Sequence, residues 1–140
     1  MLRVTADTNI LVSGFNFLAG KPSQFLQLAR SGAISLVVSQ PIIEETTDVL
    51  ARKFNWTAED IEEARRWLKD IARTVTPAVR LDVIKEDPPD NRILECAVSA
   101  GSDYIVTGDN DLLRLGQYAG IRIMNVADFL EIARGQTRER

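Results

Sequence analysis

Short, nearly uninterrupted apolar runs alternate along this chain with segments of helical period, and that alternation restricts the fold more than any other feature. LRVTA (2–6), ISLVVS (34–39), DYIVTG (103–108) and GIRIMN (120–125) are rich in strand-forming residues. They lack strict apolar–polar alternation, as suits strands covered on both faces. Between them, residues 9–18 predict a first helix, broken at Gly20-Lys21-Pro22, and Ser23 to Arg30 a second, stopped by Ser31-Gly32. A third helix starts at Pro41, with Ile42, Ile43, Thr46, Val49 and Leu50 at helical spacing. A fourth opens at Thr57 and runs to about Ala72, and Thr74–Thr76 is a weak strand signal. Asp87-Pro88-Pro89-Asp90 opens a helix that ends at Gly101, Leu112 to Leu115 suggests a short one, and Val126 to Ala133 a last one. Strands alternating with helices imply right-handed βαβ units. The expected fold class is therefore α/β: three layers, with a central parallel sheet of four to five strands flanked by helices. At 140 residues the prior is a single domain, placed at 1–134, with 135–140 as a polar basic tail.

Composition matters mainly for what it removes. There is no histidine, which excludes Ser-His-Asp and Cys-His triads and any His-containing zinc site. The single cysteine, Cys96, cannot form an internal disulfide and reads as a small buried residue of a cytoplasmic protein. No apolar run approaches a membrane span, and the N-terminus does not read as a secretory signal. With 17 basic and 20 acidic residues, the net charge is −3. Binding of a polyanion must then come from a local patch or a bound cation.

In an open parallel sheet the ligand lies outside the carboxyl ends of the strands. Those ends are acidic here. Asp7 follows the first run, Glu44 and Glu45 ride the helix after the second, and Asp109 and Asp111 follow DYIVTG. Asp90 opens the helix that leads into DYIVTG and begins at the same edge. On a helical wheel Glu45 lies at the margin of the apolar stripe, whereas Glu44 faces solvent. Asp90 precedes Ile93 and Leu94 by three and four residues and so shares their inward face. Each acid has a plainer reading. Asp7, Thr8 or Asp109 could cap a helix, Asp87 could be an N-cap with Asp90 as its capping-box partner, and Asp111 could be a first-turn acid. Together, however, they form a set of carboxylates whose mutual repulsion calls for a cation. Oxygen ligands without His or Cys suit Mg²⁺ or Mn²⁺, which can activate water toward a phosphodiester and stabilise the leaving oxygen.

These residues resemble the PIN-domain nucleases, and more narrowly the small prokaryotic members that act as toxins of toxin–antitoxin pairs. The carriers are Val4-Thr5-Ala6-Asp7-Thr8-Asn9, then Ser39-Gln40-Pro41-Ile42-Ile43-Glu44-Glu45 with Val49-Leu50, then Asp90-Asn91-Arg92-Ile93-Leu94-Glu95-Cys96-Ala97, and last Asp103 through Leu113 with its TGDxDLL element. The resemblance spans about residues 2–132. It implies a Mg²⁺- or Mn²⁺-dependent endoribonuclease acting on single-stranded RNA, often a homodimer, with a small antitoxin protein as partner. It makes Asp7, Glu45, Asp90 and Asp109 the catalytic, metal-binding acids, with Glu44 as a substitute for Glu45. Asn9 would be the amide supporting the first aspartate, Thr107 the hydroxyl near the rim, and Asp111 a secondary acid. Arg92 follows the acidic helix start and is expected to touch a phosphate.

Other readings fit less well. A receiver domain needs paired acids after the first strand and a late lysine, yet no lysine follows Lys85. An aspartyl phosphatase needs an acid where Asn9 stands, and no Gly-rich phosphate loop occurs. The alternatives within the same fold are a non-catalytic RNA- or protein-binding module and a DNA-directed nuclease. Arg52-Lys53, Arg65-Arg66, Lys69 and Arg73 read as a solvated helical face, and Trp67 as packing. Trp56 is expected to pack or to make a dimer contact.

Overall fold

The structure is a computed structural model and describes residues 1–138. The chain runs β1 (Arg3–Ala6), α1 (Thr8–Asn16), α2 (Lys21–Arg30), β2 (Ser35–Ser39), α3 (Gln40–Phe54), α4 (Ala58–Ile71) and β3 (Ala72–Val75). A single 3-10 turn at Pro88–Asp90 leads into α5 (Asn91–Ala100), followed by β4 (Tyr104–Val106), α6 (Asn110–Leu115), β5 (Gln117–Tyr118), β6 (Ile121–Met124) and α7 (Val126–Arg138). The sheet order is β3-β2-β1-β4-β6-β5. The first five of these strands are parallel, and β5 pairs antiparallel with β6.

That order carries the architecture. From β1 the chain steps outward to β2 and β3, then returns across the sheet to β4 on the other side of β1. Parallel crossovers are right-handed, so the reversal puts α5 on the opposite face from α1 to α4. The packing agrees: α5 lies on β1, β2, β3 and β4, whereas α1 packs on α2 and α3, and α7 on α2. Helices on both faces explain why Val4, Ala6, Val37, Val38, Ile105 and Val106 are all fully buried. The boundary between β1 and β4, where the chain departs in opposite directions, opens a crevice at the carboxyl edge.

Local chemistry sets the ends of the helices. Thr57 Oγ1 accepts from Asp60 N at 3.1 Å and caps α4. Gly101 terminates α5 in the left-handed region at φ 65°, with Ser102 N donating to Ala97 O. Phe15 takes Trp56 and Trp67 edge-on, with ring centroids 6.0 and 5.5 Å away, and Trp56 Nε1 donates to Asn16 Oδ1. Both tryptophans therefore pack within the chain.

Two departures from the sequence expectation have clear causes. β5 was not expected: it is two residues long and joined to β6 by a tight turn, in which Ala119 (φ 52°) and Gly120 (φ 80°) are both left-handed. Alanine is a poor signal for such a turn, where Asn-Gly is the usual one. The last helix continues to Arg138 instead of ending at Ala133, with Arg134 reaching Glu131 at 2.9 Å and Gln24 at 3.4 Å. The expected tail thus starts as helix, and residues 139–140 lie outside the described residues.

Phe129 ties α7 to the rest: it is fully buried and meets Phe25 and Tyr104 edge-on at 5.5 and 5.8 Å. Phe129→Ala should cost about 3–5 kcal/mol, and Phe129→Leu much less. Urea unfolding followed by circular dichroism measures both.

Candidate active site

Sheet register builds the site's first contact. Ala6 pairs with Val106, so the residues that follow, Asp7 and Thr107, leave the sheet side by side. Asp7 N donates to Val106 O at 2.9 Å, and Thr107 N to Met124 O at 3.0 Å. The Thr107 hydroxyl, fully buried, donates to Asp7 Oδ2 at 2.6 Å. Thr107 Oγ1 in turn accepts from Asp109 N at 2.9 Å. One hydroxyl therefore sets the spacing between the acids that end β1 and β4.

Asp7 is buried and its pKa is raised. Desolvation is the main cause and the Asp109 charge adds to it, while the Thr107 hydrogen bond works the other way. Asp7 makes no side-chain cap bond on α1. Asn9 helps through its backbone N–H, which with that of Thr8 favours the charged form of Asp7. The Asn9 side chain is exposed and bonds to no described residue, so the expected support by its amide is replaced by support from its main chain.

Both glutamates of α3 are exposed, and they differ in what they face. Glu44 turns outward and takes Gln40 Nε2 at 3.3 Å. Glu45 faces the rim: partial burial and then the Asp7 charge raise its pKa, and the Thr8 hydroxyl opposes them.

Asp90, 7% exposed, stands at the amino end of α5 with Oδ2 buried and without a hydrogen-bond partner. Its pKa is pushed up to about 8 by desolvation and then by the charges of Asp109, Asp7 and Asp87. Asp109 Oδ1 caps α6, accepting from Asp111 N at 2.8 Å and Leu112 N at 3.2 Å. Capping thus occupies one oxygen of Asp109 and leaves the other for the rim.

One carboxylate oxygen from each of Asp87, Asp90, Asp109 and Asp111 lies within 4.8 Å of the others. Asp87 is the acid the sequence reading missed. It was expected only as an N-cap, yet it makes no side-chain cap bond and its charge bears on both Asp90 and Glu45. Its position three residues before Asp90, on the same turn, is the signal that could have found it. Asp111 joins the cluster while also pairing with Arg114 at 2.7 Å. The rim is therefore one electrostatically connected band: the charges of Asp109 and Asp7 act on Asp90, and those of Asp7 and Asp87 act on Glu45.

The band lies against the strap, residues 76–87, which has no regular structure. The buried Asn91 holds it, its Oδ1 accepting from Val83 N and Ile84 N and its Nδ2 donating to Ile84 O and Pro88 O. The buried Glu95 accepts from Leu81 N at 2.8 Å. Arg92 places Nε 2.8 Å from Glu95 Oε1, and Nη2 3.0 Å from Oε2 and 3.3 Å from Leu81 O. The guanidinium expected to touch a phosphate is thus engaged in fixing the strap.

An orphaned buried carboxylate oxygen among all-oxygen donors, at the switch point of a three-layer α/β fold, fits a hard divalent cation. Fold and site together make this rim a candidate divalent-metal centre. The comparison with protein families narrows this: the PIN-domain family model matches residues 3–111, and the chain belongs to that family. PIN domains are generally metal-dependent nucleases. No curated protein matches the chain significantly.

Two predictions follow from the geometry. Thr107→Val should keep the fold but lower activity about 10- to 100-fold, as loss of a ligand-orienting group does, with Thr107→Ser restoring most of it; steady-state kinetics decide. The second concerns the metal-free protein. A carboxylate with a raised folded pKa binds more protons folded than unfolded, so its contribution weakens stability as pH rises from about 4 to about 8. Asp90→Asn should therefore raise the metal-free Tm at pH 8, and the gain should fade at pH 4. Each kcal/mol recovered corresponds to roughly 2–8 °C.

Proposed function

We propose that this protein is a Mg²⁺- or Mn²⁺-dependent endoribonuclease that hydrolyses single-stranded RNA, with Asp7, Glu45, Asp90 and Asp109 as metal-binding catalytic acids. The observation that carries the reading is the buried, unpartnered Oδ2 of Asp90 inside a band of carboxylates. A cation bound there supplies charge neutralisation, an activated water and stabilisation of the leaving oxygen. The residues of the chain do the rest. Thr107 holds Asp7 and the Asp109 main chain at fixed separation, and the α6 cap holds the Asp109 carboxylate. Asp111 and Asp87 extend the donor set, and Asn91, next to Asp90, anchors the strap at Ile84. With no histidine in the chain, proton transfer falls to water and carboxylates.

The finer points rest on the sequence resemblance: RNA over DNA, the role of toxin with a small antitoxin partner, the homodimer and the cytoplasmic location. Among the described residues, no helix is long and apolar enough to cross a membrane.

The test is cleavage of mixed-sequence single-stranded RNA, with the same sequence as DNA in parallel. Mn²⁺ should support cutting and EDTA abolish it. Asp7→Asn, Asp90→Asn and Asp109→Asn should each cut at least about a hundredfold more slowly, a barrier increase of roughly 2.7 kcal/mol. Mn²⁺ should also raise the wild-type Tm, because it binds only the folded rim. Full activity in the three variants would dismiss the assignment. A Tm that responds to Mn²⁺ without any cleavage would favour the non-catalytic binder.

A further inference from the structure

The acidic band accounts for chemistry on a phosphodiester but not for how the strand is held. Beside it lies a separate hollow of about 550 Å³, between the start of α3, the end of β3, the strap and α5. Pro41, Val75, Pro77 and Val79 give it apolar walls, and Arg80 and Arg92 line it as well. It opens at the carboxyl edge that carries the acids. Pro41 is in the first turn of the helix bearing Glu45, and Arg92 stands two residues past Asp90.

Its two cations differ. The charge of Arg92 is matched by the buried Glu95. Arg80 is exposed and has no carboxylate partner among the described residues. The backbone N–H groups of Ala78, Val79 and Arg80 likewise donate to no described residue. The hollow thus combines apolar walls, unused main-chain donors and one free positive charge, next to a rim built for a phosphodiester. Its volume lies in the range of pockets that enclose small organic ligands, roughly 300–1,000 Å³. Unpaired strands are gripped by flat surfaces under the bases, usually aromatic, and basic groups along the backbone; here the proline and valine walls take the place of the aromatic platform. A base inside a duplex could not enter, because it would first have to leave its stack.

We propose that this hollow seats the nucleotide adjoining the scissile phosphate of a single-stranded nucleic acid, with the base between Pro41, Pro77 and Val79 and a phosphate on Arg80. This builds on the nuclease reading above, but its test does not depend on cleavage. Binding of a short fluorescein-labelled mixed-sequence RNA is followed by anisotropy in Ca²⁺ over a range of salt, for wild type, Arg80→Ala and Val79→Ser. Arg66→Glu, on α4 away from the hollow, serves as control and should match wild type. Arg80→Ala should weaken binding about tenfold and lower the slope of log K against log salt by about 0.7, the loss of one phosphate contact on a single strand. Val79→Ser, which removes an apolar wall without adding charge, should weaken binding and leave that slope unchanged. The same RNA annealed to its complement should bind less tightly to wild type than the free strand.

If wild type binds and cuts while Arg80→Ala retains its affinity and salt slope, the hollow is not the subsite and the nuclease reading stands. If the predicted slope change appears but Mn²⁺ supports no cleavage, the subsite stands and the nuclease reading falls. If wild type neither binds nor cuts, both fall.

Discussion

Everything at the functional edge depends on the register between β1 and β4. Pairing Ala6 with Val106 brings Asp7 and Thr107 out of the sheet as neighbours, and the hydroxyl between them sets where the next acid, Asp109, can stand. The surrounding hydrophobic core makes that register rigid. Val4, Ala6, Ile105 and Val106 are fully buried, and a slip of one residue would turn every one of them to the opposite face. The site is thus held by residues that take no part in its chemistry. The return of the chain from β3 to β4 matters as much, because it opens the crevice at this pair of strands and not elsewhere.

Within the crevice the chain works against its own stability. Desolvation and like charge raise the pKa values of Asp7, Glu45 and Asp90 together, which marks the metal-free rim as electrostatically uncomfortable at neutral pH. Rigid supports bear that cost: the sheet under Asp7, the α6 cap under Asp109, and the Asn91 clamp next to Asp90. The strain is useful because a cation relieves it. A site whose acids are satisfied by arginines would have no reason to bind one, and the nearby guanidinium of Arg92 is turned to Glu95 instead.

The legible part of the sequence was the part governed by periodicity and by the strand-end rule. A parallel sheet of four to five strands, its flanking helices and the expectation that Asp7, Glu45, Asp90 and Asp109 share one edge follow from those rules. The choice of Glu45 over Glu44 came from a helical wheel, and the structure turns the two as the wheel implies. What escaped was set by contacts between distant or irregular segments. Asp87 looks like a cap in one dimension and becomes a rim acid only when the 3-10 turn swings it toward Asp109. Arg92 looks like a free cation until the strap and Glu95 fold over it. Asn91 and Glu95 are polar residues on a buried helical face, and their partners are main-chain groups of the strap, which carries no periodic signal.

The overall charge of −3 and the acidic rim pose a problem that the geometry answers in a definite order. A metal-free rim repels a phosphate, and one uncompensated guanidinium at Arg80 is a weak counterweight at physiological ionic strength, where screening acts within about 8 Å. Divalent cations on the rim would cancel much of its negative charge, and the strand would then meet the metal centre and Arg80 along a short path. Affinity for substrate is thereby coupled to metal loading without any conformational change. The coupling is purely Coulombic, so it weakens with added monovalent salt and is reciprocal: bound strand tightens the hold on the metal by the same factor that bound metal tightens the hold on the strand.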